Sequence, residues 1–390
     1  MSDNFNFSYW EHEYYSLPDV CIIGAGITGL SCAIELARQN PRLKIVVIEK
    51  SHTGTMATTR NAGFLCYGSP TEILRDLNSS NEYQVIELLK RKHKGQNALL
   101  SLLRKRKQTY RRVFGYELFD SKVKFEETVD SLAQLNIIFK EATGIDTYYK
   151  EVQPNLMQAH GLSGFTGIIQ LFQEGQVHSQ NLDQALELKA RNLGIRILRG
   201  VTIRAIQEAN GYVTLFNEIM EIKAKTLVLA TNAFLNELVP EISVIPNRGQ
   251  ILVTTELKSI RLNGNYHFNE GYVYFRNVGK RILLGGARNV DFVGEQGSEL
   301  KNNDAIQKWL ENFLFEHLVL DKEAKIDYQW SGIMGFTPSG LPYCERHSEH
   351  VFIAGGMNGM GVAIGAAMGF DVAQLVLEKL DPKYNRKRKL

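Results

Sequence analysis

Short runs of apolar residues that stop at glycine, then give way to helical spacing, set the pattern of this chain. Val20-Cys21-Ile22-Ile23 are apolar without alternation, as in a strand covered on both faces. Glycines from Gly24 to Gly29 interrupt the run, and the stretch to Gln39 then follows a helical pattern. A second apolar run at 44–48 ends in Glu49. Further on, 225–232 (KTLVLATN) reads as a buried strand ending in small polar residues. Near the end the opening order returns: strand 351–354, a glycine cluster through Gly361, and a helix over 362–380.

The segments between predict other elements. Residues 10–17 are an aromatic-rich lead-in packed on the first domain, and 50–63 (KSHTGTMATTRNAG) is too polar and small for anything but a loop. Residues 82–112 follow a helical pattern with Leu99, Leu103, Tyr110 and Phe114 near one face. Segments 122–130 and 137–149 read as mixed strand and helix, and 171–183 as a turn leading into a helix over 182–191. A strand at 194–201 and a hairpin at 212–221 follow. After Pro246 the texture changes to antiparallel strands at 248–257, 266–277 and 281–288, with a turn at 277–280. A helix over 304–318 and a loop-rich crossing at 330–342 precede the final unit. The basic tail, 383–390, is expected to be disordered.

The first glycine cluster has GxGxxG spacing between a strand and a helix. Gly24 turns the chain, Gly26 lets backbone amides approach a diphosphate, and Gly29 lets helix pack on strand. The helix N-terminus offers unpaired N–H groups and partial positive charge. Glu49 stands at the end of the second strand, where an acid accepts hydrogen bonds from ribose hydroxyls. Ala230 and Thr231 end a companion strand beside this turn and leave room for the ligand. The unit is expected to bind a dinucleotide.

Composition narrows the partners. At 390 residues, with 44% apolar and 22% charged residues, the chain is an ordinary globular protein of two-domain size. Its net charge of +3 implies no dedicated acidic partner. Residues 82–112 are rich in Lys and Arg, but no aromatic interleaving accompanies them, so a solvated face is favoured over nucleic-acid binding. Cys21, Cys32, Cys66 and Cys344 make no metal-ligand spacing and read as reduced thiols, which fits a cytoplasmic protein. No signal peptide is expected from the first fifteen or so residues. The two apolar stretches that imitate membrane spans, 20–37 and 351–370, each enter through a strand and a glycine turn, so no membrane span is expected.

The closing strand–glycine–helix unit points to FAD over NAD. A second helix N-terminus at the site can stabilise negative charge on a reduced flavin ring. In order, the motifs GAGITGL, VIEK, TTRNAGF, LVLATNAF, PNRGQ, YFRN, WSGIMGFTPSGLP and VFIAGGMNGMGVAIGAAMG resemble the D-amino-acid-oxidase superfamily of FAD enzymes. The chain is most similar to its γ-glutamylputrescine oxidoreductase and sarcosine-oxidase-like branch. This resemblance implies an α/β fold with a discontinuous Rossmann-type FAD-binding domain (1–80, 155–245 and 326–390). It also implies an α+β substrate domain on a mostly antiparallel sheet (81–154 and 246–325).

By the same resemblance, Gly24, Ala25, Gly26, Ile27, Thr28 and Gly29 hold the diphosphate, and Glu49 with Lys50 the adenosine ribose end. Val201 meets adenine through its backbone. Thr59, Arg60, Asn61, Ala62 and Gly63 line the flavin; Ala230, Thr231 and Asn232 border the diphosphate. Met357, Asn358, Gly359, Met360 and Gly361 meet the pyrimidine edge of the flavin, with Met360 where relatives often carry histidine. His178 stands at a position often polar in the family and is expected to make a helix-entry hydrogen bond.

The implied activity is oxidation of a C–N bond in an amine or amino acid, the imine then being hydrolysed. O2 or another acceptor takes the electrons, so the alternatives are an oxidase, a dehydrogenase of the same fold, or a flavin domain acting on a modified tRNA nucleoside. No catalytic acid or base is assigned. Tyr274, Arg276, Met334 and Phe336 are the expected pocket residues. Some relatives tether the flavin through cysteine or histidine where this chain has Gly332 and Arg60, so FAD is expected to be non-covalent. Relatives acting on D-amino acids or glycine hold the carboxylate with an arginine where this chain has Thr337. Secondary or ω-amines are therefore expected over simple D-amino acids, with Arg276 the alternative cation.

Overall fold

The computed structural model describes residues 8–54, 56–103, 109–218 and 221–381. A six-stranded sheet runs in the order Tyr343–Arg346, Val351–Gly355, Leu227–Leu229, Val20–Ile23, Ile45–Glu49, Arg196–Arg199. Every neighbouring pair is parallel except the edge pair of Tyr343–Arg346 with Val351–Gly355. Val20–Ile23 and Ile45–Glu49 are buried along their whole lengths, as their unbroken apolar runs require. Helices Ile27–Gln39, Ser179–Asn192 and Gly361–Leu380 cover one face. A three-stranded antiparallel sheet, Ala205–Ala209, Tyr212–Phe216 and Glu221–Ala224, covers the other.

Gly361–Leu380 is the one described helix long and apolar enough to cross a membrane, and 67% of its most apolar stretch is buried inside the protein. It packs on Ile27–Gln39 so closely that a Cβ at Gly369 would stand 2.4 Å from the Thr28 carbonyl oxygen.

The second sheet has nine strands. Its order is Ile326–Phe336, Ile245–Thr254, Arg281–Gly286, Val273–Val278, Asn265–Phe268, Tyr110–Phe119, Gly167–Val177, Phe64–Leu65, with Tyr149–Glu151 also paired to Gly167–Val177. It is antiparallel apart from Asn265–Phe268 beside Tyr110–Phe119. Helix Asp304–His317 packs on one face around Tyr266, Phe275 and Leu284. Helices Glu82–Leu103 and Lys122–Thr143 pack on the other around Tyr67, Phe139 and Tyr148. The α/β fold with a Rossmann-type domain and a mostly antiparallel second sheet is therefore as the sequence implied.

Several local expectations give way. The helix expected over 82–112 ends at Leu103; Tyr110 and Phe114 lie in strand Tyr110–Phe119, and 104–108 fall outside the described residues. Segments 122–130 and 137–149, expected as mixed strand and helix, fall mainly in one helix, Lys122–Thr143, ended by Gly144 at φ +75°. The expected turn at 171–183 is mostly strand Gly167–Val177, and the crossing at 330–342 is mostly strand Ile326–Phe336. Residues 266–277 form a hairpin of two strands, not one strand. The 50–63 loop contains a one-turn helix, Ala57–Arg60. The expected tail at 383–390 lies outside the described residues. Strands Gly167–Val177 and Ile326–Phe336 pair within the second sheet, whereas the expected segments 155–245 and 326–390 assign them to the first unit.

Candidate active site

At the C-terminal end of the parallel strands the backbone folds back on itself. Gly24 takes φ +105°, and a Cβ at Gly29 would stand 1.9 Å from the Gly24 carbonyl oxygen, so only glycine fits this approach. Gly26 caps helix Ile27–Gln39 with no side-chain hydrogen bond, and its first turn holds no acid. That end is electrostatically open to an anion. The buried Glu49 carboxylate accepts from the Ala25 amide at 2.9 Å and from the Ser51 amide at 2.9 Å. Thr58, which the sequence did not single out, accepts from the Ile27 amide at 3.1 Å. The buried Thr231 hydroxyl finds no partner among the described residues.

Residues Thr59 to Gly63 form a tied loop beside this turn. The Thr59 hydroxyl donates to the Gly54 and Met56 carbonyls, and Arg60 donates from Nε to the Ser331 carbonyl at 2.6 Å. Asn61 accepts from the Gly63 amide at 2.8 Å and from the Ser179 hydroxyl at 2.9 Å. Val201 donates its amide to the Glu49 carbonyl at 3.1 Å, which sets its backbone beside the end of strand Ile45–Glu49. Lys50 is exposed and rests its ammonium 3.3 Å from the Phe234 ring centroid. His178 caps helix Ser179–Asn192, its Nδ1 accepting from the Asn181 amide at 3.3 Å, the helix-entry bond that was expected.

The second glycine cluster closes on the first. Asn232, at φ +51°, accepts from the Met357 amide at 3.0 Å, and a Cβ at Gly24 would stand 2.6 Å from the Ala230 carbonyl oxygen. Met360 caps helix Gly361–Leu380, again with no side-chain bond and no acid in the first turn. Asn358 donates its backbone amide to the Gly335 carbonyl and accepts the Thr337 amide at 2.9 Å, fixing strand Ile326–Phe336 against the cluster. The face of that strand toward the cluster carries Gly332, Met334 and Phe336, all half-buried. The Met334 sulfur lies 3.6 Å from where a Cβ of Gly359 would stand. Half-buried Tyr274 stands on strand Val273–Val278, with two strands of the sheet between it and Ile326–Phe336, edge-on to Phe64 at 5.4 Å.

Arg276 departs from its expected place in the pocket. It is 7% exposed and donates from Nε to the Ala62 carbonyl at 2.7 Å and from its terminal nitrogen to the Val177 carbonyl at 3.1 Å. Sheet alternation places it beside Tyr274, but the Ala62–Gly63 loop covers it. Burial, reinforced by the charge of Arg111, lowers its guanidinium to about 10.

Three basic residues of helix Glu82–Leu103, Lys90, Lys92 and Lys94, have partners within the protein. Lys92 is 2% exposed, donates to the Tyr67 carbonyl at 2.5 Å and sits 3.7 Å from Glu72. Lys90 pairs with Glu87, and Lys94 with Asp371. Beneath the sheet, His267 lies 3.0 Å from Glu174, with Cys66 close to both. Glu117 accepts from the hydroxyls of Ser69 and Thr71 and from the Thr71 amide at 3.0 Å.

Two helix N-termini whose own cap residues, Gly26 and Met360, make no side-chain bond, a buried acid at the second strand end and an unpartnered Thr231 hydroxyl suit the diphosphate, ribose and ring of a flavin dinucleotide. A flavin-dependent oxidoreductase is the class that this fold and site define. The chain belongs to the FAD dependent oxidoreductase family, matched over residues 19–375, and FAD is its cofactor. It is 26% identical over 408 aligned positions to the probable oxidoreductase OrdL of Haemophilus influenzae, covering 95% of this chain and 90% of the relative. It is 24% identical over 383 positions to the gamma-glutamylputrescine oxidoreductase of Escherichia coli, covering 92% and 83%. In fold it is similar to the L-proline dehydrogenase from P. horikoshii, with a TM-score of 0.76, 19% identity, and coverage of 96% and 99%.

Proposed function

We propose that this protein oxidises the C–N bond of an amine or amino acid, with a secondary or ω-amine preferred to a simple D-amino acid. The observation that carries this is the half-buried strand face of Met334 and Phe336 beside the Met357–Gly361 cluster, the Met334 sulfur lying 3.6 Å from where a Cβ of Gly359 would stand. The relationship to gamma-glutamylputrescine oxidoreductase supports the substrate class. Bound FAD would supply the two-electron acceptor for oxidation at the carbon bearing nitrogen, and water would hydrolyse the imine product.

The chain's own residues supply binding and exclusion of water. Gly24–Gly29 receive the diphosphate, Glu49 the ribose hydroxyls and the backbone of Val201 the adenine edge, while Thr231 gains a partner for its hydroxyl. The uncapped N-terminus at Met360 and Gly361 stabilises negative charge placed against it. Thr59 to Gly63 and Asn358 hold the walls of the substrate space in register. Apolar Met334, Phe336 and Tyr274 orient the amine and strip it of water, so no protein acid or base is invoked. Four free cysteines fit a cytoplasmic site of action.

Anaerobic addition of an amine panel to the yellow holoenzyme tests this reading. Bleaching by sarcosine-type or γ-glutamylputrescine-type amines, and not by D-alanine, is the expected result; failure of every amine to bleach the flavin overturns it. The acceptor is read in the same cuvette. Return of colour in air marks an oxidase, which is the favoured form, and persistent bleaching marks a dehydrogenase.

A further inference from the structure

Over Phe336, beside the proposed substrate space, stands a cation without a charged or hydrogen-bonded partner among the described residues. Arg288 follows strand Arg281–Gly286, and among the described residues its guanidinium makes no hydrogen bond and no ion pair. It lies instead over two aromatic rings, 4.3 Å from the centroid of Phe336 and 4.9 Å from that of Phe292. Phe336 belongs to the same strand face as Met334, so the guanidinium borders the proposed substrate space directly. The acid whose charge acts on it, Glu295, is already committed to Arg248 at 3.3 Å and to Gln250 at 2.9 Å.

The backbone holds Arg288 in this position at a conformational cost. Ala287, immediately before it, takes φ +57°, the left-handed region that a residue with a Cβ disfavours. Its amide donates to the Tyr272 carbonyl at 2.7 Å, and the Arg288 guanidinium that follows lies over Phe336 and Phe292. The segment beyond is pinned by the Arg248–Glu295 pair and by Asp291, which accepts from Asn303 at 2.8 Å. Tyr272 adds a phenol edge to the same corner, 5.8 Å from Phe292 between ring centroids. Arg75 also reaches over Tyr272, at 5.7 Å, but it is paired with Asp76.

Stacking on aromatic rings orients a guanidinium and leaves its N–H edge for a planar anion. Burial lowers the Arg288 guanidinium below its ordinary value, as for a charge short of compensation. Bidentate contact with a carboxylate would supply that compensation.

We propose that Arg288 is the specificity-determining cation of the substrate space and binds a carboxylate carried by the amine substrate. This rests on the function proposed above and sharpens it to amines that bear a carboxylate. It also moves the anion grip from Arg276, whose donors are spent on Ala62 and Val177, to a residue on another part of the sheet.

The test uses holoenzyme of wild type, Arg288→Met and Arg288→Lys, each checked for equal FAD content. KM and kcat are compared within matched pairs: sarcosine against sarcosinamide, and γ-glutamylputrescine against the same compound with its α-carboxylate converted to the amide. Binding of acetate against acetamide is followed separately by perturbation of flavin absorbance. Loss of the fork should weaken each carboxylate member by about tenfold or more in Arg288→Met, less in Arg288→Lys, and leave its neutral counterpart within about twofold. Equal effects on both members of a pair, or no effect on either, overturn the proposal. If Arg288→Met does not fold, the loss of carboxylate preference in Arg288→Lys decides alone. Should wild type oxidise no amine, the proposed function fails, and the acetate–acetamide contrast still decides whether Arg288 binds a carboxylate.

Discussion

Arg276 donates to the Ala62 carbonyl at 2.7 Å and so ties the second sheet to the loop that follows the first. The Val177 carbonyl takes the other donor at 3.1 Å, and a Cβ at Gly63 would come within 2.7 Å of the same guanidinium. Arg276→Ala leaves both carbonyls buried without that donor, a loss of roughly 2–4 kcal/mol. The expected outcome is a lower Tm and easier loss of FAD, with relative KM values across amine pairs unchanged. Thermal unfolding and flavin retention on gel filtration measure it; normal stability with a changed substrate preference would return Arg276 to the pocket.

Gly26→Val should give a folded but colourless protein. A β-branched side chain at this helix entry would press on the Thr58 hydroxyl, 2.9 Å from the first added carbon, and fill the approach to the diphosphate. Flavin absorbance per protein is the measurement, and a normal flavin content would remove the glycine turn from the binding site.

What the sequence makes legible here is what backbone chemistry demands locally. Gly24, Gly29 and Glu49 lie within one βαβ unit, where each requirement has a residue type attached. Strand Gly167–Val177 is different: Gln170, Gln173, Glu174 and Gln176 make it look like a turn. Glu174 and Gln176 are instead buried, bound to His267 and Asn265 from a strand some ninety residues away. Strand Ile326–Phe336 reads as a loop because of Gly332 and Gly335. Those glycines are space for neighbours, since a Cβ at Gly335 would stand 2.8 Å from the Ala233 Cα. Alternation correctly set Arg276 beside Tyr274, yet depth separated them, and Arg288 carries no local signal because its aromatic partners come from distant segments.

The flavin should leave the protein on acid precipitation. Gly332 and Arg60, at the two positions where relatives use a nucleophile as a tether, face each other: a Cβ at Gly332 would stand 3.2 Å from the Arg60 carbonyl oxygen. Neither residue type forms the bond. All colour is expected in the supernatant, and colour in the pellet would refute the claim.

Stability should fall as pH rises through neutrality, because of the buried pair under the second sheet. Burial pushes the Glu117 carboxyl from its ordinary 4.5 up to about 7, against the hydrogen bonds from Thr71 and Ser69 that favour its anion. Burial alone would lower His267, but the charge and hydrogen bond of Glu174 outweigh it and raise the imidazole overall. Both folded-state values therefore exceed the unfolded ones, and the native state binds more protons. For Glu117 the stabilisation is full below its unfolded value of 4.5 and is lost as pH rises through about 7. A shift of that size corresponds to roughly 3 kcal/mol between the two limits. Glu117→Gln keeps a neutral partner for Ser69 and Thr71 and removes the titration. Denaturant unfolding from about pH 5 to 8 should then show a steeper decline for wild type than for the variant. Parallel curves would mean that Glu117 is ionised at no cost in the folded protein and that its burial is better compensated than its neighbours suggest.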